Sequence, residues 1–255
     1  MSTSNLKNNL EPYLQRISER STVKKSPKSQ LAIHRFREAV KRFDDSYENI
    51  LKAGKAIIIS SEENEKIQTI VSGKSHHERQ HDFLSATQSF NDSGYALMSA
   101  TIMLLNHILP KDMKRDMPLR SCKKFLLWLL ERAKELNQEI LSIEYSRAYR
   151  AKFVAHVQQT ITSTWMTYCY PYKEQMLSVI IHYIPDPNAK APKYKGVDNP
   201  FIDGFCIPIA NAGYYVAPQH ESVNEAFNNL LPHLIECAIQ KAWNIDTKGE
   251  DRSIS

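Results

Sequence analysis

The sequence predicts an all-α protein, a single helical domain of about five to seven helices with a Pro/Gly-rich insertion before the C-terminal helix. Apolar residues recur at steps of three and four in five separate segments, which is the spacing of one face of an α-helix. The 42% hydrophobic content of this 255-residue chain is sufficient for a sizeable core. Strand is expected to be nearly absent outside residues 200–217.

The chain divides into three parts by composition. We expect residues 1–28 to form an N-terminal arm, residues 29–245 the helical domain, and residues 246–255 a disordered tail. Within the domain, residues 185–220 are rich in proline and glycine and predict an irregular insertion. The arm begins with a short amphipathic stretch, whose apolar positions are Leu6, Leu10, Leu14 and Ile17.

Four long helices are predicted from the apolar spacing, at residues 30–54, 83–109, 119–141 and 221–243. The Asn91-Asp92-Ser93-Gly94 segment could kink the second of these helices or split it in two. Residues 55–72 hold a short apolar run that suits a strand or a buried helical turn, and the neighbouring segments favour helix. Residues 160–172 are rich in β-branched and aromatic side chains and leave their local state open.

Charge and cysteine content restrict the classes of function. The net charge of +5 is compatible with a polyanionic partner but is far below that of a dedicated nucleic-acid coat protein. Four widely spaced cysteines form no C-x-x-C motif, which argues against a zinc knuckle or a redox centre and favours a reducing compartment. The N-terminus lacks an apolar signal-peptide core, and no apolar run has the length of a membrane span. We therefore expect a cytoplasmic protein with no membrane association.

The stretch from Glu144 to Gln158, EYSRAYRAKFVAHVQ, carries the strongest candidate chemistry. Arg150 is a permanent cation, and His156 is an imidazole that titrates near neutral pH. On an unbroken α-helix, six residues turn through about 600°, which leaves the two side chains about 120° apart. They converge only if the helix ends or bends, or if a second subunit contributes.

A simpler interpretation of the same stretch is structural. Tyr145, Tyr149, Phe153 and His156 follow one another at steps of four, four and three, so they share one helical face. His156 would then be the polar end of a core stripe, and Arg150 a solvated side chain on the neighbouring face. Both interpretations stay open at the level of sequence.

Arg150, five intervening residues and the Ala155-His156 pair resemble the R-x(4–6)-H motif of the HEPN superfamily of helical ribonucleases and nucleic-acid-associated proteins. The resemblance implies a metal-independent endoribonuclease with Arg150 and His156 as catalytic residues and with no cofactor. It also implies a toxin or antiphage-defence effector that acts as a homodimer, with an antitoxin or another defence-system protein as a possible partner. The family commonly has Asn, Asp or His after the arginine, where this chain has Ala151, and that difference favours a non-catalytic helical interaction protein as the alternative.

An RNA substrate would need cationic contacts, and the richest basic patch lies between the second and third long helices. Six cations there are offset only by Asp112 and Asp116. The predicted substrate-binding residues are Lys114, Arg115, Lys123 and Lys124 in this patch, with Arg147 and Lys152 beside the motif. Plain solvation of a helix end is the simpler interpretation of the patch.

Residues 77–81 spell H-E-x-x-H. On a helix, His77 and His81 would share a face as two zinc ligands do, with Glu78 placed as a general base. No third ligand follows promptly, because the next histidine is His107 and the next glutamate is Glu131. A zinc hydrolase therefore ranks last, surface histidines are the simpler interpretation, and we predict no metal site.

Overall fold

The computed structural model describes residues 5–58, 73–155, 164–172, 175–184 and 213–250. Helix makes up most of these residues, which confirms the predicted mainly helical fold class. Eight α-helices lie in the described ranges: α1 (Leu6–Ser18), α2 (Ser21–Lys24), α3 (Pro27–Lys55), α4 (His76–Ile108), α5 (Lys111–Lys114), α6 (Cys122–Arg132), α7 (Asn137–Tyr149) and α8 (His220–Glu250). The described strands are β1 (Thr164–Tyr172), β2 (Gln175–Ile184) and β3 (Gly213–Val216).

Helix α1 shows how local sequence sets a helix start. The side chain of Asn5 accepts a hydrogen bond from the Lys7 N–H at 3.0 Å, which caps one of the free donors of the first turn. The carboxylate of Asp44 accepts from the N–H groups of Leu6 and Lys7 at 3.2 and 3.1 Å. The four apolar positions predicted for this stretch are buried. The helix is thus anchored at its N-terminus and packed along one face.

Helix α4 runs without interruption from His76 to Ile108, so the Asn91–Gly94 segment does not split it. Gly94 lets two aromatic rings pack closely, because a Cβ at this position would lie 3.3 Å from the ring of Phe227, which would have to shift by a few tenths of an ångström. That ring packs edge-on against Phe43, with a centroid separation of 4.7 Å. A glycine that usually breaks a helix instead admits an aromatic pair.

The prediction that strand is nearly absent outside residues 200–217 is wrong for residues 164–172 and 175–184. β1 and β2 form an antiparallel hairpin with Thr164 opposite Tyr183, and β3 pairs with the other edge of β2. The six residues 177–182 are all buried, so β2 has no apolar–polar alternation that would have identified it. The β-branched and aromatic content of the hairpin fits a pleated sheet.

Two other boundaries differ from the predictions. The helix expected over 119–141 is interrupted at Ala133, where the backbone leaves the helical region with φ −113° and ψ 66°. A 3₁₀ turn (Lys134–Leu136) then leads into α7. The C-terminal helix α8 continues to Glu250, so the first half of the predicted tail is helical. Residues 59–72, most of the 185–220 insertion and residues 251–255 lie outside the described residues.

The chain forms two compact units. Unit 1 comprises residues 1–44, 93–144 and 224–255, and unit 2 comprises residues 45–92 and 145–223. Helices α3, α4, α7 and α8 each contribute residues to both units. Large side chains that are almost fully buried in unit 1 include Leu10, Phe36, Phe43, Leu97, Phe125 and Phe227. Their counterparts in unit 2 include Ile50, Phe83, Phe90 and Ile180. Within the described ranges, none of the helices combines the length and the hydropathy that a membrane span requires.

Candidate functional site

Arg150 lies where the α-helical hydrogen-bond pattern of α7 stops. The next five residues, Arg150–Val154, form a π-helical turn, in which the Ala155 N–H donates to the Arg150 carbonyl at 2.9 Å. This i to i+5 bond widens the helix by one residue, and such turns are rare and frequent at functional sites. The helical register therefore changes between the two residues of the motif. His156 itself is outside the part of the chain that the structure describes.

Asp92 of α4 orients the Arg150 guanidinium. The Nε–H of Arg150 donates to Oδ1 of Asp92 at 2.9 Å, with the arginine side chain 27% exposed and the aspartate 53% exposed. One position earlier in α4, Asn91 accepts a buried hydrogen bond of 2.7 Å from the hydroxyl of Ser146. Two consecutive residues of α4 thus hold α7 and the π turn in place within unit 2.

The predicted aromatic stripe is buried. Tyr145, Tyr149 and Phe153 are each no more than 5% exposed, so they belong to the core of unit 2. Their partner is His182 of β2, whose ring stacks on Phe153 with a centroid separation of 4.1 Å. The Nε2 of His182 also shares a 2.8 Å hydrogen bond with the hydroxyl of Tyr149. A buried Tyr149–Phe153–His182 cluster therefore connects the end of α7 and the π turn to β2.

Burial sets the protonation states of this cluster. Desolvation lowers the pKa of His182 to about 4 and raises the pKa of Tyr149 far above its usual range. Both side chains are neutral at pH 7. The Nδ1 of His182 is buried and has no hydrogen-bond partner among the described residues. His182 is hence suited to packing, because a histidine held neutral by burial is a poor proton carrier at physiological pH.

Asp92 and His182 were not identified from the sequence. Asp92 lies in the Asn91–Gly94 segment, whose composition predicts a kink or a break in the helix, and His182 lies in the apolar run of β2. A polar residue inside such a run, as Ser178 and His182 are in β2, is the one signal that could have marked His182 as a buried, hydrogen-bonded group.

Three of the predicted substrate-binding residues meet in one cleft of unit 1. Lys114, Arg115 and Lys124 line a cleft of about 650 Å³ together with Arg120. Burial and the nearby charge of Lys111 lower the pKa of Lys114. Lys123 is exposed and is not among the residues that line this cleft.

Arg147 and Lys152, the other two predicted substrate-binding residues, belong to unit 2. Arg147 is half-buried in α7. Lys152 lies in the π turn, and its side chain is outside the described part of the structure. The six predicted residues are thus divided between the two units. Lys114, Arg115 and Lys124 line the cleft of unit 1, Lys123 follows Cys122 in the same helix as Lys124 without lining the cleft, and Arg147 and Lys152 lie within three positions of Arg150 in the sequence.

The H-E-x-x-H segment forms the first turns of α4. Glu78 accepts hydrogen bonds from the N–H and the hydroxyl of Ser75 at 2.7 and 2.8 Å, while Ser75 Oγ accepts from the Glu78 N–H at 3.3 Å. This reciprocal pair is a capping box, and it lowers the pKa of Glu78. The Nε2 atoms of His77 and His81 lie 3.1 Å apart, and both rings are exposed. Among the described residues, no three His, Cys, Asp or Glu side chains are grouped so that they could hold a metal ion.

Comparisons of this chain with models of protein families, with curated proteins and with solved structures find no match. What the chain can do follows from its side chains. Unit 2 offers a guanidinium oriented by a carboxylate at a change of helix register. Unit 1 offers a cleft lined by cations.

Proposed function

We propose that this chain is a metal-independent endoribonuclease of the HEPN type, in which Arg150 and His156 act on RNA without a cofactor. The observation that carries the proposal is the π turn that Arg150 opens and that closes at Ala155, one residue before His156. An unbroken α-helix would hold the two side chains about 120° apart. The change of register supports the proposal because the α-helical spacing no longer dictates where the second side chain points.

The chemistry needs one proton carrier and one cation. In the proposed reaction the 2′-hydroxyl of RNA attacks the adjacent phosphorus, and the bond from phosphorus to the 5′-oxygen breaks. His156 removes the proton of the 2′-hydroxyl or returns one to the leaving 5′-oxygen. Arg150 stabilises the negative charge that develops on the phosphoryl oxygens, and Asp92 fixes the plane of its guanidinium.

The biological setting of the proposal comes from the resemblance of the motif. The chain would act in the cytoplasm as a toxin or antiphage-defence effector, as a homodimer in which two motifs share one cleft. RNA is the substrate, and an antitoxin or another defence-system protein is a possible controlling partner. The net charge of +5 is compatible with a polyanionic substrate.

The second candidate is a non-catalytic helical interaction protein. It is favoured by the burial of Tyr145, Tyr149 and Phe153, since His156 would then continue a core stripe. Ala151 also stands where the resembled family commonly has a polar residue. A zinc hydrolase ranks behind both, because the carboxylate of Glu78 is already bonded to Ser75.

RNA cleavage by the purified chain, with and without EDTA, tests the proposal. We expect activity that persists in EDTA and falls about 10²–10⁴-fold in His156→Ala. Arg150→Lys keeps the charge and should still lose most activity, because an ammonium cannot make a two-pronged contact to phosphate. His77→Ala is the control and should cleave as the wild type does.

The alternative functions predict different results in the same cleavage assay. An interaction protein would show no RNA cleavage, and His156→Ala would lower its thermal stability. A zinc hydrolase would lose its activity in EDTA. If the rate of RNA cleavage stayed unchanged when Arg150 and His156 were both substituted, the assignment of the site would be overturned.

A further inference from the structure

We propose that the cleft between α5 and the start of α6 binds phosphate groups of an RNA backbone; the choice of RNA rests on the proposed function. Four cations line this cleft, namely Lys114, Arg115, Arg120 and Lys124. The other described lining residues are uncharged. A concave surface with four positive charges and no carboxylate in its described lining is a site for a polyanion.

The described part of the chain supplies no carboxylate partner to the four cations of the cleft. Within the described ranges, no ion pair joins these four side chains to a carboxylate, and Asp116 lines a different cleft beside Trp128 and Arg132. Lys114 is half-buried, and both burial and Lys111 act against its charged form. A bound phosphate would favour that charged form and would offset the mutual repulsion of the cations.

A tight turn creates this arrangement. The Leu119 N–H donates to the Met117 carbonyl at 2.8 Å, and the Ser121 N–H donates to the Pro118 carbonyl at 3.3 Å. Ser121 then caps the N-terminus of α6, where its hydroxyl accepts a hydrogen bond from the Lys124 N–H at 3.4 Å. Cations that precede Pro118 in the chain therefore face the same cleft as cations that follow it.

The chemistry of the lining favours phosphate over other anions. Each guanidinium of Arg115 and Arg120 can donate two parallel hydrogen bonds to one phosphate. Asn106 and Ser121 add neutral polar groups to the lining. The volume of about 650 Å³ is in the range of pockets that hold a ligand of nucleotide size. Successive phosphates of one strand could thus meet cations on both sides of the turn.

The structure separates two adjacent lysines that the sequence could not distinguish. Lys123 and Lys124 are both exposed residues of the first turn of α6, but only Lys124 lines the cleft. They carry the same charge near the same helix end, so a nonspecific electrostatic effect would be similar for both. A larger effect at Lys124 would locate the phosphate contact in the cleft.

Fluorescence anisotropy with a labelled single-stranded RNA measures binding, using the full chain with Arg150→Ala so that cleavage is blocked. On this background, Lys124→Ala and Arg115→Ala should each weaken binding about five- to tenfold. Each should also reduce the slope of log affinity against log salt by about 0.7. Lys123→Ala should have a smaller effect, and Lys41→Ala, an exposed lysine of α3 in the same unit, should have none. Circular dichroism confirms that every variant is folded.

Three results decide between the possibilities. The cleft would be overturned as the binding site if three variants had the same RNA affinity and the same salt slope. These variants are Lys124→Ala, Arg115→Ala and the control Lys41→Ala. Inorganic pyrophosphate could also displace the RNA with an affinity equal to that of the RNA itself. That result would assign the site to free phosphate compounds and overturn the RNA backbone as the ligand. RNA binding that depends on Lys124, in a chain that never cleaves RNA, would support the cleft and contradict the ribonuclease.

Discussion

Arg150 and Asp92 are 58 positions apart in the chain, and the guanidinium Nε of one lies 2.9 Å from the carboxylate Oδ1 of the other. The aspartate is 53% exposed, so this ion pair contributes little to stability, about 0–1 kcal/mol at most. Its effect is orientation: the carboxylate selects one position of the guanidinium beside the π turn. A residue of α4 thereby becomes part of the candidate site.

On the proposed function, Asp92→Ala should reduce RNA cleavage about 10²-fold, because a misplaced Arg150 guanidinium would no longer match the charge of the transition state. Thermal stability should change little. Initial rates of cleavage measure the first effect and thermal unfolding the second. Asp82→Ala is the matched control, since Asp82 is an exposed aspartate of the same helix in an ion pair with Lys74. Equal rates in the two variants would contradict the orienting role of Asp92.

The stability of the protein should fall as the pH drops from about 6.5 to about 4. Burial lowers the pKa of both His182 and His220 to about 4, whereas an unfolded histidine titrates near 6.5. In this window the unfolded chain binds protons that the folded chain does not, so the free energy of unfolding decreases with decreasing pH. Above pH 6.5 this contribution is fully present. Urea unfolding across the window measures the slope.

His182→Gln isolates one part of this pH dependence. Glutamine does not titrate, and its amide can still hydrogen-bond with Tyr149, so the slope between pH 6.5 and 4 should become shallower. His34→Gln, at an exposed position of α3, is the control and should keep the wild-type slope. An unchanged slope in His182→Gln would show that the buried histidine does not govern acid stability.

The capping box predicts a structural role for the H-E-x-x-H segment. Ser75→Ala should lower the unfolding temperature by a few degrees, because it removes the hydroxyl that caps α4. Ser85→Ala, at an exposed position inside the same helix, should change it little. The proposed RNA cleavage should stay near the wild-type level in Glu78→Gln. If Glu78→Gln lost its cleavage activity, and if added zinc changed the activity of the wild type, the zinc-hydrolase interpretation would be favoured instead.

The proposed ribonuclease should be a homodimer. The Arg150/His156 motif of one subunit would then lie next to the same motif of the other subunit across a two-fold axis. The two motifs would form one shared catalytic cleft. Light scattering at micromolar concentration, with and without RNA, should report twice the mass of the 29.4 kDa chain. A monomer under both conditions would count against a shared cleft.

Much of the helical fold was determined by the sequence alone, because helix signals are local. The spacing of apolar residues located most of α3, α4 and α8, and the stripe of α1 predicted the residues that α1 buries. The Arg150 motif was visible for the same reason, since it lies within a short stretch of chain. The pairing of β1 with β2 was not, because strand pairing is a contact between segments and a buried strand carries no alternation of apolar and polar residues.

Only the tertiary structure decided what surrounds each candidate residue. Asp92 reaches Arg150 from another helix, and His182 reaches Tyr149 from a strand 33 positions later. Lys123 and Lys124 are adjacent on α6 and point about 100° apart around the helix, and of the two only Lys124 lines the cationic cleft. Side-chain type and local spacing are written in the sequence, whereas the neighbours of a side chain depend on packing between segments that are distant in the chain. For that reason the sequence could nominate Arg150, but it could not name Asp92 as the residue that holds it.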